Sequence, residues 1–366
     1  MLNSNHYTPI LKWKRAEQGA LKELADKDKV LITPFIQFVM PKPKLDETLE
    51  GMTERFEKQS VDIPEKIVDI WGKSLIMIDF SLLYIPTISK TKIIEKVLSS
   101  GEVLGANFIP AIHLSDEEEI KSKVCLLSKD YKNGICLRLV CSDLSDIEKL
   151  NLKIKDFLST YKISEDSIDL LVDIKEIGED TDKYNKYYNL SQGINNLNKW
   201  RSFIFSSGSF PVDLSECKLD EENLIPRTDW VSWVRQTNTK GVIRKPTFSD
   251  YTIQHSIYKE SMQFFHPTSS LKYTLSDNWL IMKGKKQKFE DYLAHAKTLV
   301  SDPRFSGKEF SFGDNFISEK ADHFDKYISE KNKGVDIKGT GSTETWLKAA
   351  INHHLVLVAN QVSNLS

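Results

Sequence analysis

Short apolar, β-branched runs recur about eight times along this chain with helix-patterned segments between them, and that alternation narrows the folds open to it. The runs are Tyr7 to Trp13, Leu31 to Val39, Ser74 to Leu82, Asn107 to Leu114, Gly134 to Cys141, Ser167 to Ile174, Arg201 to Ser207 and Pro246 to Ile253. Strands separated by helices pair in parallel, because a parallel neighbour is reached only through a crossover of roughly a dozen residues or more. Eight such units in roughly 250 residues predict an α/β fold, a TIM-like (β/α)8 barrel, with an open doubly wound sheet as the structural alternative.

The connections agree with outer helices. Ala16, Leu21, Leu24 and Ala25 fall close to helical spacing, with Lys and Glu on the other side. Pro64 suits the first turn of a helix, where its missing N–H is no loss. Ser115 before Glu117, Glu118 and Glu119 reads as a helix N-cap with an acidic first turn. After Ile253 the rhythm changes. Leu271 to Leu275 and Trp279 to Lys283 predict a β-hairpin, Phe289 to Val300 and Thr343 to Val362 predict helices, and Lys331 to Thr343 predicts a loop. The expected division is a barrel over 1–254 and a C-terminal α+β extension over 255–366 packed on it. At 366 residues the chain is long enough for either a large barrel with additions or two domains.

Charge excludes some partners and leaves others. Lys and Arg total 50 against 52 for Asp and Glu, so no global field draws the chain to nucleic acid or an anionic membrane. Nucleic-acid binding would need a local face such as Lys283 to Lys288. Cys125, Cys136, Cys141 and Cys217 lack CxxC spacing and the density of a secreted scaffold, which predicts reduced thiols and a cytoplasmic location. No apolar run reaches the roughly 20 residues a membrane span requires, so no membrane partner is expected.

In barrels the reactive groups stand at the C-terminal ends of strands. That rule selects Lys12, Gln37, Asp79, His113, Arg138, Asp173, Ser206 and Asp250, one for each run. Asp79 and Asp173 interrupt otherwise apolar strands, where an isolated charge is costly. Either they pair with Lys12 and Arg138, or the group forms a polar pocket. In the pocket reading Lys12 and Arg138 hold an anion, Asp79 or Asp173 acts as base or ligates a divalent metal, and His113 or His354 carries a proton.

Other motifs are open to structural uses. His353 and His354 are adjacent on a helix and point about 100° apart, so a joint metal site is not expected and packing roles are. The loop Gly339 to Thr343 could offer amides to a phosphate but lacks the lysine and preceding strand of a P-loop. Phe248 to Tyr251 and Phe312 to Asn315 each set an Asp beside aromatics in an expected turn. Trp230 and Trp233 suit a helix packing its indoles on the barrel, or stacking on a base. Nucleophile elbows, HExxH helices, kinase motifs and Rossmann fingerprints are absent from the sequence.

Taken together, several of these segments resemble one family. They are Tyr7 to Glu17 with Ala20 and Leu21, Ile32 to Phe35, Phe248 to Tyr251, Lys272 to Thr274, Trp279 to Gly284, Phe310 to Asp314, Gly341 to Trp346 and Asn352 to His354. Over nearly the whole chain the pattern is similar to the bacterial and phage "beta protein" family, with Ser249 where that pattern has Gly. The resemblance implies a barrel-like protein met in phages and in mobile or anti-phage defence loci, and supplies no catalytic residues. The leading expectation is a protein that binds a phosphorylated or nucleotide-like ligand at the strand mouth, with hydrolysis of that ligand left open as a further step. Lys12, Glu17, Arg138, Asp250 and Tyr251 would bind it, and Asp79, Asp173, His113 and His354 would act on it. The rival expectation is a non-catalytic module whose hairpin and helices recognise a phage or host protein.

Overall fold

All eight runs form strands in the computed structural model of the chain, which describes residues 5–219, 221–258, 268–335 and 338–365. The strands are β1 (Ile10–Lys12), β2 (Phe35–Gln37), β3 (Ile76–Asp79), β4 (Phe108–Ile112), β5 (Ile135–Val140), β6 (Ile168–Glu176), β7 (Ser202–Gly208), β8 (Asn223–Pro226), β9 (Thr247–Ser249), β10 (Leu271–Thr274) and β11 (Asn278–Met282). The helices are α1 (Arg15–Lys22), α2 (Asp26–Lys29), α3 (Leu49–Gln59), α4 (Ile63–Trp71), α5 (Thr87–Val103), α6 (Glu118–Tyr131), α7 (Ile147–Tyr161), α8 (Thr181–Ser191), α9 (Thr228–Thr237), α10 (Asp291–Val300), α11 (Phe312–Asn332) and α12 (Thr343–Ser363).

The eight-stranded sheet is parallel throughout, in the order β1-β2-β3-β4-β5-β6-β7-β9. Its ends meet. The Thr8 N–H donates to the Phe248 carbonyl at 3.0 Å, and the Ile10 N–H donates to that of Asp250 at 2.8 Å. The fold is therefore an α/β, TIM-like barrel and not an open sheet. Side chains alternate across each strand. Ile10, Phe35, Met77, Ala111, Cys136, Leu171 and Ile204 pack inside the barrel, while Leu11, Ile36, Ile78, Leu137, Val172 and Phe205 pack under the helices.

The extension is tied into this frame. β10 and β11 form the expected hairpin, and β8, from the segment between β7 and β9, joins it as a third antiparallel strand. That strand lies N-terminal to the 254/255 division. α12 packs on α1, α2, α11 and β10, and its Ile351, Leu355, Val358 and Val362 share one core with the barrel helices. Tyr7, at the seam between β9 and β1, touches its His354 ring. α12 thus covers the seam that an eighth barrel helix would cover. A second core of Leu271, Tyr273, Tyr292, Leu299, Ile317 and Trp346 lies between the hairpin and α10 to α12.

Two local expectations are corrected. Phe312 to Asn315 is not a turn but the first turn of α11, a 21-residue helix capped by Ser311, whose Oγ accepts the Asp314 N–H at 3.1 Å. Ser115 does not cap α6, which starts at Glu118. Asp116 instead accepts the His113 N–H at 2.7 Å and shapes the loop before the helix. Pro64 does stand in the first turn of α4. Trp230 and Trp233 pack their rings 5.2 and 5.4 Å from that of Phe248.

Candidate functional site at the barrel mouth

Period-two alternation carries the inner face one step beyond the apolar layer. Two residues after Ile10, Phe35, Met77, Ala111, Cys136, Leu171 and Ile204 come Lys12, Gln37, Asp79, His113, Arg138, Asp173 and Ser206. The strands deliver these side chains to one polar layer at the C-terminal mouth, as sequence reasoning expected of them.

Arg138 is the centre of the layer. It is fully buried, and it donates through Nη1 to Asp79 and through Nη2 and Nε to Asp173, the last at 3.1 Å. Nη2 also reaches the Tyr251 hydroxyl at 3.1 Å, and that hydroxyl donates to Asp173 at 2.7 Å. Gln37 donates to Asp79 at 3.0 Å, and Ser81 adds its N–H at 2.8 Å and its hydroxyl at 2.7 Å. Burial alone would raise both carboxyl pKa values, but the Arg138 charge on Asp79, and the Lys175 and Arg138 charges on Asp173, hold both below the usual carboxylate range. Arg138 thus pairs with both carboxylates, the first of the two arrangements that the sequence left open for it.

Two ammonium groups complete the layer, one of them paired with Asp173. Lys12 is 3 % exposed, and its Nζ donates to the His255 carbonyl at 3.1 Å and sits 5.3 Å from the Tyr251 ring centre. Lys175 lies 5.4 Å from the same ring and 3.2 Å from Asp173. Burial lowers the Lys12 pKa to about 8, with Lys175, Lys14 and Arg138 opposing its charge and Glu17 favouring it. His113 is pushed down to about 4 by burial and then by the Arg138 charge, so it is neutral at pH 7, and its buried Nε2 has no hydrogen-bond partner among the described residues. The Ser206 and Ser249 hydroxyls, on paired positions of β7 and β9, are likewise buried without partners.

Glu17 and Tyr251 belong to this region; Asp250 and His354 do not. Glu17 is buried at the start of α1 and accepts from Gln254 at 2.8 Å, and burial raises its pKa. Glu17 and Gln254 also line a cleft of about 1130 Å³ beside the mouth, with Trp13, Phe38 and Phe56 as its aromatic lining and Lys14, Arg15, Lys42 and Lys66 among its cations. Asp250 points outward from the barrel. It accepts from the Tyr7 hydroxyl and from the Thr252 N–H at 3.0 Å, and it meets His354 Nε2 at 3.0 Å. His354 Nδ1 lies 3.0 Å from the Thr274 hydroxyl, and His353 lies 2.8 Å from both Asp314 and the Thr274 carbonyl. The two histidines pin α12 to the barrel seam, the hairpin and α11, the packing role expected of them. The Gly339 to Thr343 loop is occupied by its own capping box, Ser342 with Thr345.

Sequence reasoning missed Lys175. It lies two residues after Asp173, just past the apolar run that ends at Ile174. The register shift between Asp173 and Glu176, with Lys175 at φ 59, is what aims it at the mouth. Among the described residues no group of three or more His, Cys, Asp or Glu side chains is placed to hold a metal ion. No helix among them is long and apolar enough to cross a membrane. A family model described as Beta protein matches residues 7–360. The search of curated proteins finds no match.

Proposed function

The chain belongs to the Beta protein family, and from that premise we propose that it is a cytoplasmic barrel protein that binds a phosphorylated or nucleotide-like anion at the strand mouth. The anionic end of the ligand is held by Lys12 and Lys175, and its body lies in the adjoining cleft against Trp13 and Phe38. The observation that carries this reading is the Lys12 ammonium: buried, beside a second ammonium on the Tyr251 ring, and paired with no carboxylate among the described residues. A desolvated cation gains more from an anionic partner than an exposed one does. Hydrolysis is the further step of the proposal. In that step the oxygen of a water bonds to the terminal phosphorus while the P–O bond to the rest of the ligand breaks. His113 Nε2, neutral and without a partner among the described residues, takes the water's proton, the leaving oxygen takes one from solvent, and Asp79 and Asp173, held ionised by their cations, keep the layer in shape. Four cysteines outside any disulfide support the reducing, cytoplasmic setting.

Isothermal titration of the whole protein with ATP, ADP, inorganic phosphate and adenosine tests the reading, with divalent cations as a separate arm. Nucleotides should bind, adenosine should bind far more weakly, and Lys12→Met should weaken nucleotide binding roughly tenfold or more. If no anion binds, the barrel mouth is an ion-paired core and the protein-recognition reading takes its place. The phage or defence role implied by the family stays within the proposal, and the plating efficiency of phages on cells with and without the Lys12→Met variant tests it.

A further inference from the structure

A second cavity, of about 610 Å³, opens on the other side of the first turns of α12, where the barrel core and the hairpin core meet. Thr343 and Leu347 form a wall shared with the mouth cleft. Its apolar lining comes from distant parts of the chain: Val212 and Leu214 from the loop before β8, Leu271 from β10, Ile317 from α11, and Trp346 and Ala350 from α12. Such a surface favours an apolar ligand in proportion to the area it buries.

The charged side chains of the lining are mostly of one sign. Lys272, Lys283 and Lys286 line the cavity against a single acid, Asp213, whose carboxylate is already turned to the Ser215 N–H at 2.8 Å. Lys283 donates to the carbonyls of Ser215 and Cys217 at 3.2 and 2.6 Å and so fixes the loop that makes one wall. Lys272 has no carboxylate partner among the described residues. Its ammonium rests 4.7 Å from the Phe210 ring centre, and burial lowers its pKa to about 8. An ammonium in that setting lacks the anion that would offset its desolvation.

We infer that this cavity binds a small amphipathic anion, an aliphatic carboxylate whose chain lies on Leu271, Ile317 and Trp346 and whose head group meets Lys272. The apolar lining calls for the chain, and the surplus of lysines calls for the charge. The inference does not depend on what binds at the mouth.

Titration calorimetry of the whole protein with decanoate, decanol and acetate tests it. Decanoate should bind, decanol should bind about tenfold or more weakly, and acetate should not register, since neither the chain nor the charge suffices alone. Lys272→Met should weaken decanoate about tenfold while leaving decanol and the melting temperature unchanged. Raising the pH from 7 to 9 should weaken decanoate as the Lys272 ammonium loses its proton. Ala350→Phe, which fills the cavity from α12, should abolish binding; if that variant does not fold, the Lys272→Met comparison still decides. Equal affinity for decanoate and decanol, or no effect of Lys272→Met, would overturn the inference and leave a nonspecific apolar surface. Failure of decanoate to bind would overturn it outright. Nucleotide binding measured on the same Lys272→Met protein should be unchanged, which separates this site from the mouth.

Discussion

Arg138 shows how much rests on one side chain. It stands between two carboxylates in a layer with almost no solvent, so its removal strands both. Arg138→Met should lower unfolding free energy by about 3–5 kcal/mol, the usual result of breaking a buried ion pair from one side. Asp173→Asn should do less harm, because Asp79 would still face Arg138. Urea denaturation of both variants checks this, and a loss below about 1 kcal/mol for Arg138→Met would mean that water solvates the layer. His113 gives a pH test. Its folded pKa of about 4 lies below its unfolded value of 6.5, so the unfolded state takes up the proton first. Stability should therefore fall as pH drops from about 6.5 to 4, by an amount on the order of 2–3 kcal/mol for this residue. His113→Gln should remove that slope. Asp173, held low by its cations, contributes stability above its unfolded value near 3.9 and loses it only under stronger acid, so the two windows are separable. The mouth residues were legible because the strands alternate strictly. The pairing of Arg138 with Asp79 and Asp173 was one of two readings left open, and what would have chosen between them, mutual distance across a barrel, is not written in any one strand.

At the scale of elements, the barrel strands could be read because each is a short, wholly buried apolar run. β8 could not: its Asn-Leu-Ile-Pro sequence is an edge strand with Leu224 and Pro226 exposed, and nothing local announces its pairing with β11. α11 was missed for a related reason. Its buried positions, Gly313, Asp314, Ile317, Ala321 and Tyr327, make a thin stripe that begins with residues typical of turns. Gly313 explains part of that sequence. A Cβ there would stand 2.1 Å from the Ala349 carbonyl oxygen of α12, and the Gly313 N–H donates to Asn352 at 3.0 Å. Gly313→Ala sets two effects against each other. Helix propensity favours alanine by up to about 1 kcal/mol, whereas forcing two packed helices apart costs about 1–3 kcal/mol. The clash is with backbone, which cannot swing away, so the variant should be destabilised, by about 2 kcal/mol. Asn315→Ala, on the exposed side of the same turn, should not be. Thermal melts of the two proteins decide the matter, and a stabilised Gly313→Ala would show that α11 and α12 do not approach so closely.

At the scale of the whole molecule, the sequence divides into a barrel and an extension, but the forces that hold it do not respect that division. β8 leaves the barrel segment to complete the hairpin sheet. α12 returns from the far end to cover the seam, placing Asn352 against the Ala20 carbonyl at 3.0 Å and His354 against Asp250. Arg227, buried just before α9, donates to the Leu275 and Ser276 carbonyls and to Gln361, so it too joins the barrel segment to the hairpin and to α12. A chain ending at residue 254 would keep all eight strands, yet it would expose the α1 face that carries Gly19 and Ala20 and leave Asp250 and Tyr7 without His354. Asp250 would then lose the His354 hydrogen bond that favours its charged form while still sitting near Asp229, whose carboxyl is already pushed up to about 6 by burial and by that neighbour. Such a fragment should lack a cooperative melting transition and be cut rapidly by trypsin, whereas the whole chain should unfold in one step by circular dichroism and by tryptophan fluorescence. Coincident curves would confirm one cooperative unit. A fragment that melts cooperatively near the temperature of the whole protein would mean that the barrel closes without α12, and that the extension is a passenger on a complete domain.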